Sequence, residues 1–323
     1  MKNSGINCTA FLGGISSNYN SNFIQGDFTG GNKPVIIVEA DEFDRSFLTL
    51  HPDIAVITSM DADHLDIYGE KEQLEESYRL FAKQIKANGI LIAKDGLPLP
   101  KNDSTINYSI NSNAAYHTTN ITVAHHQYEF DVATPSGIFH SWTLGMPGRH
   151  NIENAIAAIA VAFNLNISPE KIQEALISFR GVKRRFEYQV ISDNCTFIDD
   201  YAHHPEELRA AISSVRELYQ NKKITGIFQP HLFTRTRDFA DGFAQSLSLL
   251  DALILLDIYP ARENPIKGVN AQMILDKVTI SDKQICSKAD LLSVIKMRHP
   301  EVILTLGAGD IDQLVQPIKT LLA

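Results

Sequence analysis

The 323-residue sequence is short of several things, and each shortage excludes a class of protein. Its three cysteines, Cys8, Cys195 and Cys286, are odd in number and far apart. That excludes a disulfide framework and any cysteine-based metal spacing, and points to a reducing, cytoplasmic setting. No apolar run approaches the ~20 residues of a membrane span, and the opening MKNSGINCTA lacks the apolar stretch of a signal peptide. Membrane insertion is not expected. Lys and Arg total 29 against 38 Asp and Glu, a formal charge of −9, with no continuous basic stripe. A nucleic-acid partner is therefore not expected, although a few local cations can serve small anions. Internal repeats and low-complexity tracts are missing too.

What is present supports a core of normal size, with 44% hydrophobic and 21% charged residues. The length suggests about two domains. Short apolar runs alternate with helical patterns, which predicts an α/β fold with mainly parallel sheets. PVIIVEA (34–40), DIAVITSM (53–60) and GILIAK (89–94) read as buried strands. Residues 70–87 have the spacing of an amphipathic helix, with Leu74, Tyr78, Phe81 and Ile85 on one face. Residues 105–145, rich in Thr, Tyr, Val and Phe, predict an antiparallel excursion that ends the first sheet. Helices follow from near His150-Asn151 and from Ser168-Pro169-Glu170, where Ser suits the cap and Pro the first helical position.

The strand–helix rhythm restarts at GVKRRFE (181–187), which sets the expected domains at 1–183 and 184–323. CTFIDD (195–200), KITGIFQ (223–229), DALILLDIY (251–259) and VILTLGAG (302–309) are expected strands, with helices starting near Pro205, near Thr236 and after Gly309. That predicts a Rossmann-like, doubly wound second domain whose ligands gather at the carboxyl ends of its strands.

Polar clusters fall where such sheets present functional groups. Glu39-Ala40-Asp41-Glu42 and Asp61-Ala62-Asp63-His64 follow successive strands. Acidic groups at adjacent strand ends can hold a hard divalent cation, and a His among them suits Mn²⁺ as well as Mg²⁺; equally, such residues simply begin polar loops. Asn151 and Asn154 share one helical face near a helix N-terminus, suited to a base or a phosphate, though Asn151 alone is more often just a cap. Arg184-Arg185 could clamp a phosphate or belong to a solvated linker. Asp199-Asp200-Tyr201-Ala202-His203-His204-Pro205 crowds a strand-to-helix turn with polar groups that packing does not explain. Arg235 and Arg237 stand at a helix N-terminus, where cations oppose the macrodipole unless an anion lies there. Gly307-Ala308-Gly309-Asp310 is a short G-x-G turn, a weak signal by itself.

Taken in this order and spacing, EADE, the His of DADH, HNxxN, GVKRRFE, DDYAHHPEE, QPHxFTRTR and GAGD make essentially the whole chain similar to the Mur ligase family. Within it, DADHLDIYG and TRTRDF most resemble the branch that joins L-alanine to UDP-N-acetylmuramate. The alternatives are the recycling branch that adds a whole tripeptide, and a non-catalytic nucleotide-binding module.

The resemblance implies a central P-loop-type ATPase domain with a mainly parallel sheet, then a C-terminal Rossmann-like domain. It implies ATP-dependent ligation of L-alanine to the lactoyl carboxylate of UDP-N-acetylmuramate through an acyl phosphate, with Mg²⁺ or Mn²⁺. Glu39 and His64 would be metal ligands. Asn151, Asn154, Arg185 and Asp200 would contact ATP, and Tyr201, His203 and Arg235 would hold L-alanine; His203, Arg185 and Asp200 form the catalytic set. The family's G-x-x-x-x-G-K-[ST] loop does not occur in this sequence. A chain that opens at NCTAFLGG is therefore expected to be a fragment without that loop's strand and helix, and inactive alone. Leu232 also departs from the resemblance, standing where many relatives carry a basic residue.

Overall fold

Two sheets, rather than one, form in the first half of the chain. The computed structural model describes residues 1–29, 34–61, 68–100, 103–111 and 113–323. The chain divides into two units, Met1–Arg180 and Gly181–Ala323. In the first unit, β1 (Cys8–Ser16), β2 (Ser21–Ile24) and β3 (Val35–Val38) make a three-stranded sheet in the order β2-β1-β3. β1 runs parallel to β3, with Cys8 opposite Val35, and antiparallel to β2.

The second sheet holds β4 (Ile54–Ile57), β5 (Ile90–Lys94), β6 (Thr105–Ser109), β7 (Tyr116–Ala124), β8 (Gln127–Thr134) and β9 (Gly137–Leu144), in that spatial order. It is parallel from β4 to β7 and antiparallel from β7 to β9. Three expectations change here. The excursion over 105–145 is only partly antiparallel, because β6 continues the parallel ladder. The runs at 34–40 and 53–60 are strands, but β3 pairs with β1 while β4 pairs with β5, so they belong to different sheets. The run at 34–40 is also not buried as expected, since Ile36 and Val38 of β3 are exposed; an apolar run marks a strand without fixing its burial or its partner.

Helix α1 (Lys71–Lys83) buries Leu74 and Phe81, and Phe47 packs on Phe81 and Tyr78 at centroid distances of 5.2 and 5.5 Å. Helix α2 (Arg149–Asn164) lays Ile152, Ile156 and Ile159, all fully buried, against β5, β6 and β7. Alanines between them let the helix approach the sheet closely, and each such Ile contributes about 1.5–3 kcal/mol by burial. Helix α3 (Pro169–Ser178) begins on Pro169, whose missing N–H is no loss at that position.

The second unit is a six-stranded sheet in the order β10-β11-β15-β12-β13-β14. These are β10 (Glu187–Ile191), β11 (Thr196–Asp200), β12 (Ile224–Phe228), β13 (Ala252–Leu255), β14 (Lys283–Ile285) and β15 (Val302–Leu306). All neighbours are parallel except β10 on β11. Every residue of β12, β13 and β15 is buried, as expected of parallel strands covered on both faces. The connecting helices are α4 (Pro205–Leu218), α5 (Phe233–Leu247), α6 (Gln272–Lys277) and α7 (Leu291–Arg298), with α8 (Asp312–Leu322) last.

Candidate functional site

The register of the second sheet decides which side chains meet. Asp200 lies opposite Leu306, and Leu306 opposite Phe228, so β11, β15 and β12 end abreast. The next residues, Tyr201, Gly307 and Gln229, therefore emerge side by side at the carboxyl edge.

Asp199 and Asp200 do different work there. Asp199 is buried, accepts from Thr305 Oγ1 at 2.7 Å and meets Arg184 Nε at 3.2 Å. Burial pushes its carboxyl above the usual range despite both partners. Asp200 accepts from the backbone N–H of Ala202 and of Phe186, both at 2.8 Å. Burial pushes its carboxyl up to about 6, with Asp199 and Glu207 adding to the shift and the two amides opposing it. Arg184 also donates to Gly307 O at 2.7 Å and lies 5.0 Å from the Tyr201 ring. Of the two expected phosphate clamps, Arg184 is thus occupied, whereas Arg185 is exposed and has no ion pair among the described residues.

Beyond the strand ends the rings form a row. Tyr201 meets His203 at 5.1 Å, His203 meets His231 at 6.3 Å, and His231 stacks on Tyr259 at 5.7 Å. His203 Nδ1 is 3.0 Å from the carbonyl oxygen of Tyr201, and Glu207 accepts from the backbone N–H of both His203 and His204. Burial, Arg235 and His203 lower the pKa of His231.

Helix α5 begins at Phe233, three residues before the expected Thr236, so Arg235 stands in its first turn. Leu232 enters the helix at φ 70°, held by its N–H to Tyr259 O at 2.9 Å and by its carbonyl, which accepts from Thr236. An anion does serve this helix end, and it is internal: Glu263 accepts from Thr234 N at 3.0 Å and from Thr234 Oγ1 at 2.5 Å. Arg237 pairs with its neighbour Asp238. Arg235 is left half-buried, without an ion pair among the described residues.

The GAGD turn has a packing reason for its glycines. A Cβ on Gly309 would stand 2.6 Å from Gln229 Oε1 and 2.7 Å from Tyr259 Cβ, and one on Gly307 would stand 2.7 Å from Gln229 O. The fully buried Gln229 spends both ends of its amide here, accepting from Ile311 N at 2.9 Å and donating to Asp310 at 2.8 Å. Lys288 pairs with the same Asp310 carboxylate.

In the first unit, Asn151 sits in the first turn of α2 and donates its Nδ2 to Pro147 O at 2.5 Å, which leaves Oδ1 as an acceptor. Asn154 is exposed one turn on. Glu39, just past β3, is exposed and accepts from Gly13 N at 2.6 Å through one oxygen. His64 lies outside the described residues. Among the described residues no group of three His, Cys, Asp or Glu is placed to hold a metal. None of their helices is long and apolar enough to cross a membrane.

Residues 27–162 match the model of the Mur ligase middle domain, and residues 184–309 that of the Mur ligase glutamate ligase domain. The UDP-N-acetylmuramate–L-alanine ligase of Flavobacterium johnsoniae is 49% identical over 99% of this chain and 69% of its own length. The protein of that name from Parabacteroides distasonis is 48% identical, over 100% of this chain and 70% of its own. The chain belongs to the Mur ligase family. A crystal structure of UDP-N-acetylmuramate-alanine ligase from Thermotoga maritima shares the fold at TM-score 0.80 and 26% identity, covering 98% of this chain and 69% of that one.

For a Mur ligase, the bracing of the site was not foreseen from the sequence, even where the residues themselves stood in its motifs. Arg184, Gln229, His231, Tyr259 and Glu263 contact the singled-out residues directly. Arg184, Gln229 and His231 lay within highlighted motifs, though none was expected to brace the site; Tyr259 and Glu263 come from the loop after β13, which carried no motif signal.

Proposed function

We propose that this chain supplies the nucleotide-handling and amino-acid-handling parts of a cytoplasmic, ATP- and Mg²⁺-dependent ligase that joins L-alanine to the lactoyl carboxylate of UDP-N-acetylmuramate, for peptidoglycan precursor synthesis. The carboxylate is activated by ATP as an acyl phosphate, and the amine displaces phosphate to leave amide, ADP and phosphate. The substrates are taken from the relatives' names. The observation that carries their placement is Arg235, a half-buried cation beside the Tyr201–His203–His231 row, without an ion pair among the described residues.

In this reading Arg235 pairs with the carboxylate of L-alanine, while Tyr201 and His203 flank its amine. His203 Nδ1 faces an oxygen that only accepts, so in the neutral ring Nδ1 carries the hydrogen and Nε2 keeps its lone pair toward the amine. Asn151 and Asn154 contact the nucleotide, with Asn151 Oδ1 available to accept from a base amino group. Arg185, exposed and without an ion pair among the described residues, reaches the phosphates. Asp200 orients the nucleotide indirectly, because both of its oxygens are engaged by the Phe186 and Ala202 amides and so hold the 184–187 turn against β11.

The donor set suits a hard cation: Glu39 has one oxygen on Gly13 N, and its second oxygen would hold Mg²⁺ together with His64. The bound ion would neutralise charge between phosphate and acyl oxygens.

The test is phosphate release by the ligation-competent enzyme with ATP, UDP-N-acetylmuramate and either L-alanine or the tripeptide. Stimulation by L-alanine, with the tripeptide a poor competitor, is expected. Preference for the tripeptide would replace this reading by the recycling one.

A further inference from the structure

His203 and His231 face one another at the ends of β11 and β12, and their surroundings dictate opposite tautomers. His203 keeps its hydrogen on Nδ1, against the Tyr201 carbonyl, and its lone pair on Nε2. His231 is the reverse case. Its Nδ1 is sealed from solvent with no hydrogen-bond partner, while Nε2 is neither sealed nor bonded among the described residues. A sealed, unpaired N–H is a rarer orphan in proteins than an under-used acceptor, so the neutral ring places its hydrogen on Nε2.

Every charged neighbour bears on that ring's neutrality. Burial, Arg235, His203 and Arg262 disfavour a second proton on it, and Glu263 alone opposes them. Tyr259 stacks on it at 25° between planes and fixes its orientation. Leu232, the next residue, brings no cation to the carboxylate that Arg235 would hold.

We propose that the two rings read the two ends of an amino-acid zwitterion: His231 donates Nε2–H to the substrate carboxylate beside Arg235, and His203 accepts from the ammonium through Nε2. This rests on the amino-acid site proposed above and adds a specificity device to it. A peptide acceptor has its first carboxyl tied up in an amide bond, so it offers His231 a neutral carbonyl and offers Arg235 no charge next to the amine. Selection of a free amino acid over a peptide then follows from the pairing of one donor and one acceptor ring.

Two measurements test it. Histidine-labelled NMR of this chain, reading which ring nitrogen is protonated, should find Nδ1–H for His203 and Nε2–H for His231; Nδ1–H at His231 overturns the proposal whatever the substrate. In the ligation-competent enzyme, His231→Phe should raise the KM for L-alanine about tenfold with little change in kcat, the size of a hydrogen bond to a charged group. His231→Gln, whose amide can reach the Nε2 position, should recover most of it, and L-alaninamide should be discriminated against less by His231→Phe than by the unaltered enzyme. An increased KM in an Arg235→Ala control with none in His231→Phe would leave the amino-acid site standing and remove His231 from it. No increase in either variant would remove the site itself.

Discussion

Arg184 and Asp199 form a buried ion pair at the carboxyl end of β11, with Nε 3.2 Å from the carboxylate. The same guanidinium bonds the Gly307 carbonyl at the end of β15 and covers Tyr201. One side chain thus ties the 184–187 turn, β11 and β15 together directly beneath the proposed amino-acid site.

Arg184→Ala should destabilise the protein by about 3 kcal/mol near pH 8, because Asp199 is left as a buried charge without a counter-ion. Burial already holds that carboxyl above its usual range, so protonation can relieve it in acid. The loss should shrink as the pH falls toward 5. Urea unfolding at both pH values checks this; an equal loss at each would mean that Asp199 is not the group responsible.

Asp200 should titrate near 6 in the folded protein, against its ordinary 3.8. Between those values the native state binds a proton that the unfolded state lacks. Its contribution to stability is therefore complete below the ordinary value, falls as the pH rises through the window, and is lost above about 6. The shift corresponds to at most about 3 kcal/mol. Carboxyl-carbon NMR reads it directly, and a midpoint near 4 would contradict it.

Gly309→Ala should destabilise by about 1–3 kcal/mol through overpacking, since the new methyl meets Gln229 and Tyr259 at under 3 Å. Gly137, with nothing within 4 Å of its Cβ position, is a poor comparison because its φ is +133°. The informative control is a double-mutant cycle: thermal unfolding should show Gly309→Ala costing less in a Gln229→Ala background, where one of the two obstacles is gone, than in the unaltered protein.

Glu39→Ala should lower ligation by roughly a hundredfold to a thousandfold at saturating Mg²⁺, on the scale of losing one charge-stabilising group. Its side chain is exposed and bonds a single backbone amide, so the folding stability should change by about 1 kcal/mol or less. Phosphate release together with a melting curve separates the two; retained activity would take Glu39 out of the metal site.

Much of the second unit was legible because its strands are buried on both faces. Continuous runs such as ALIL and VILTL, alternating with helical spacing, leave little choice but a parallel sheet covered by helices. The first unit was less legible, since β3 and β4 look alike as sequences yet differ in their partners and in burial. Arg184 and Arg185 show the same limit at a single site. They are adjacent identical residues, yet one turns inward at φ 61° to meet Asp199 and the other faces solvent.

By itself the sequence determined the fold class, the order of the motifs and the chemistry that they can offer, because burial patterns and turn residues are local properties of a chain. Tertiary structure alone decided which cation stays unpaired, which glycine is required by a neighbour and which nitrogen of a histidine is sealed. Those depend on residues such as Glu263, Gln229 and Tyr259, distant in sequence from the groups they constrain, and only the register of parallel strands brings them together.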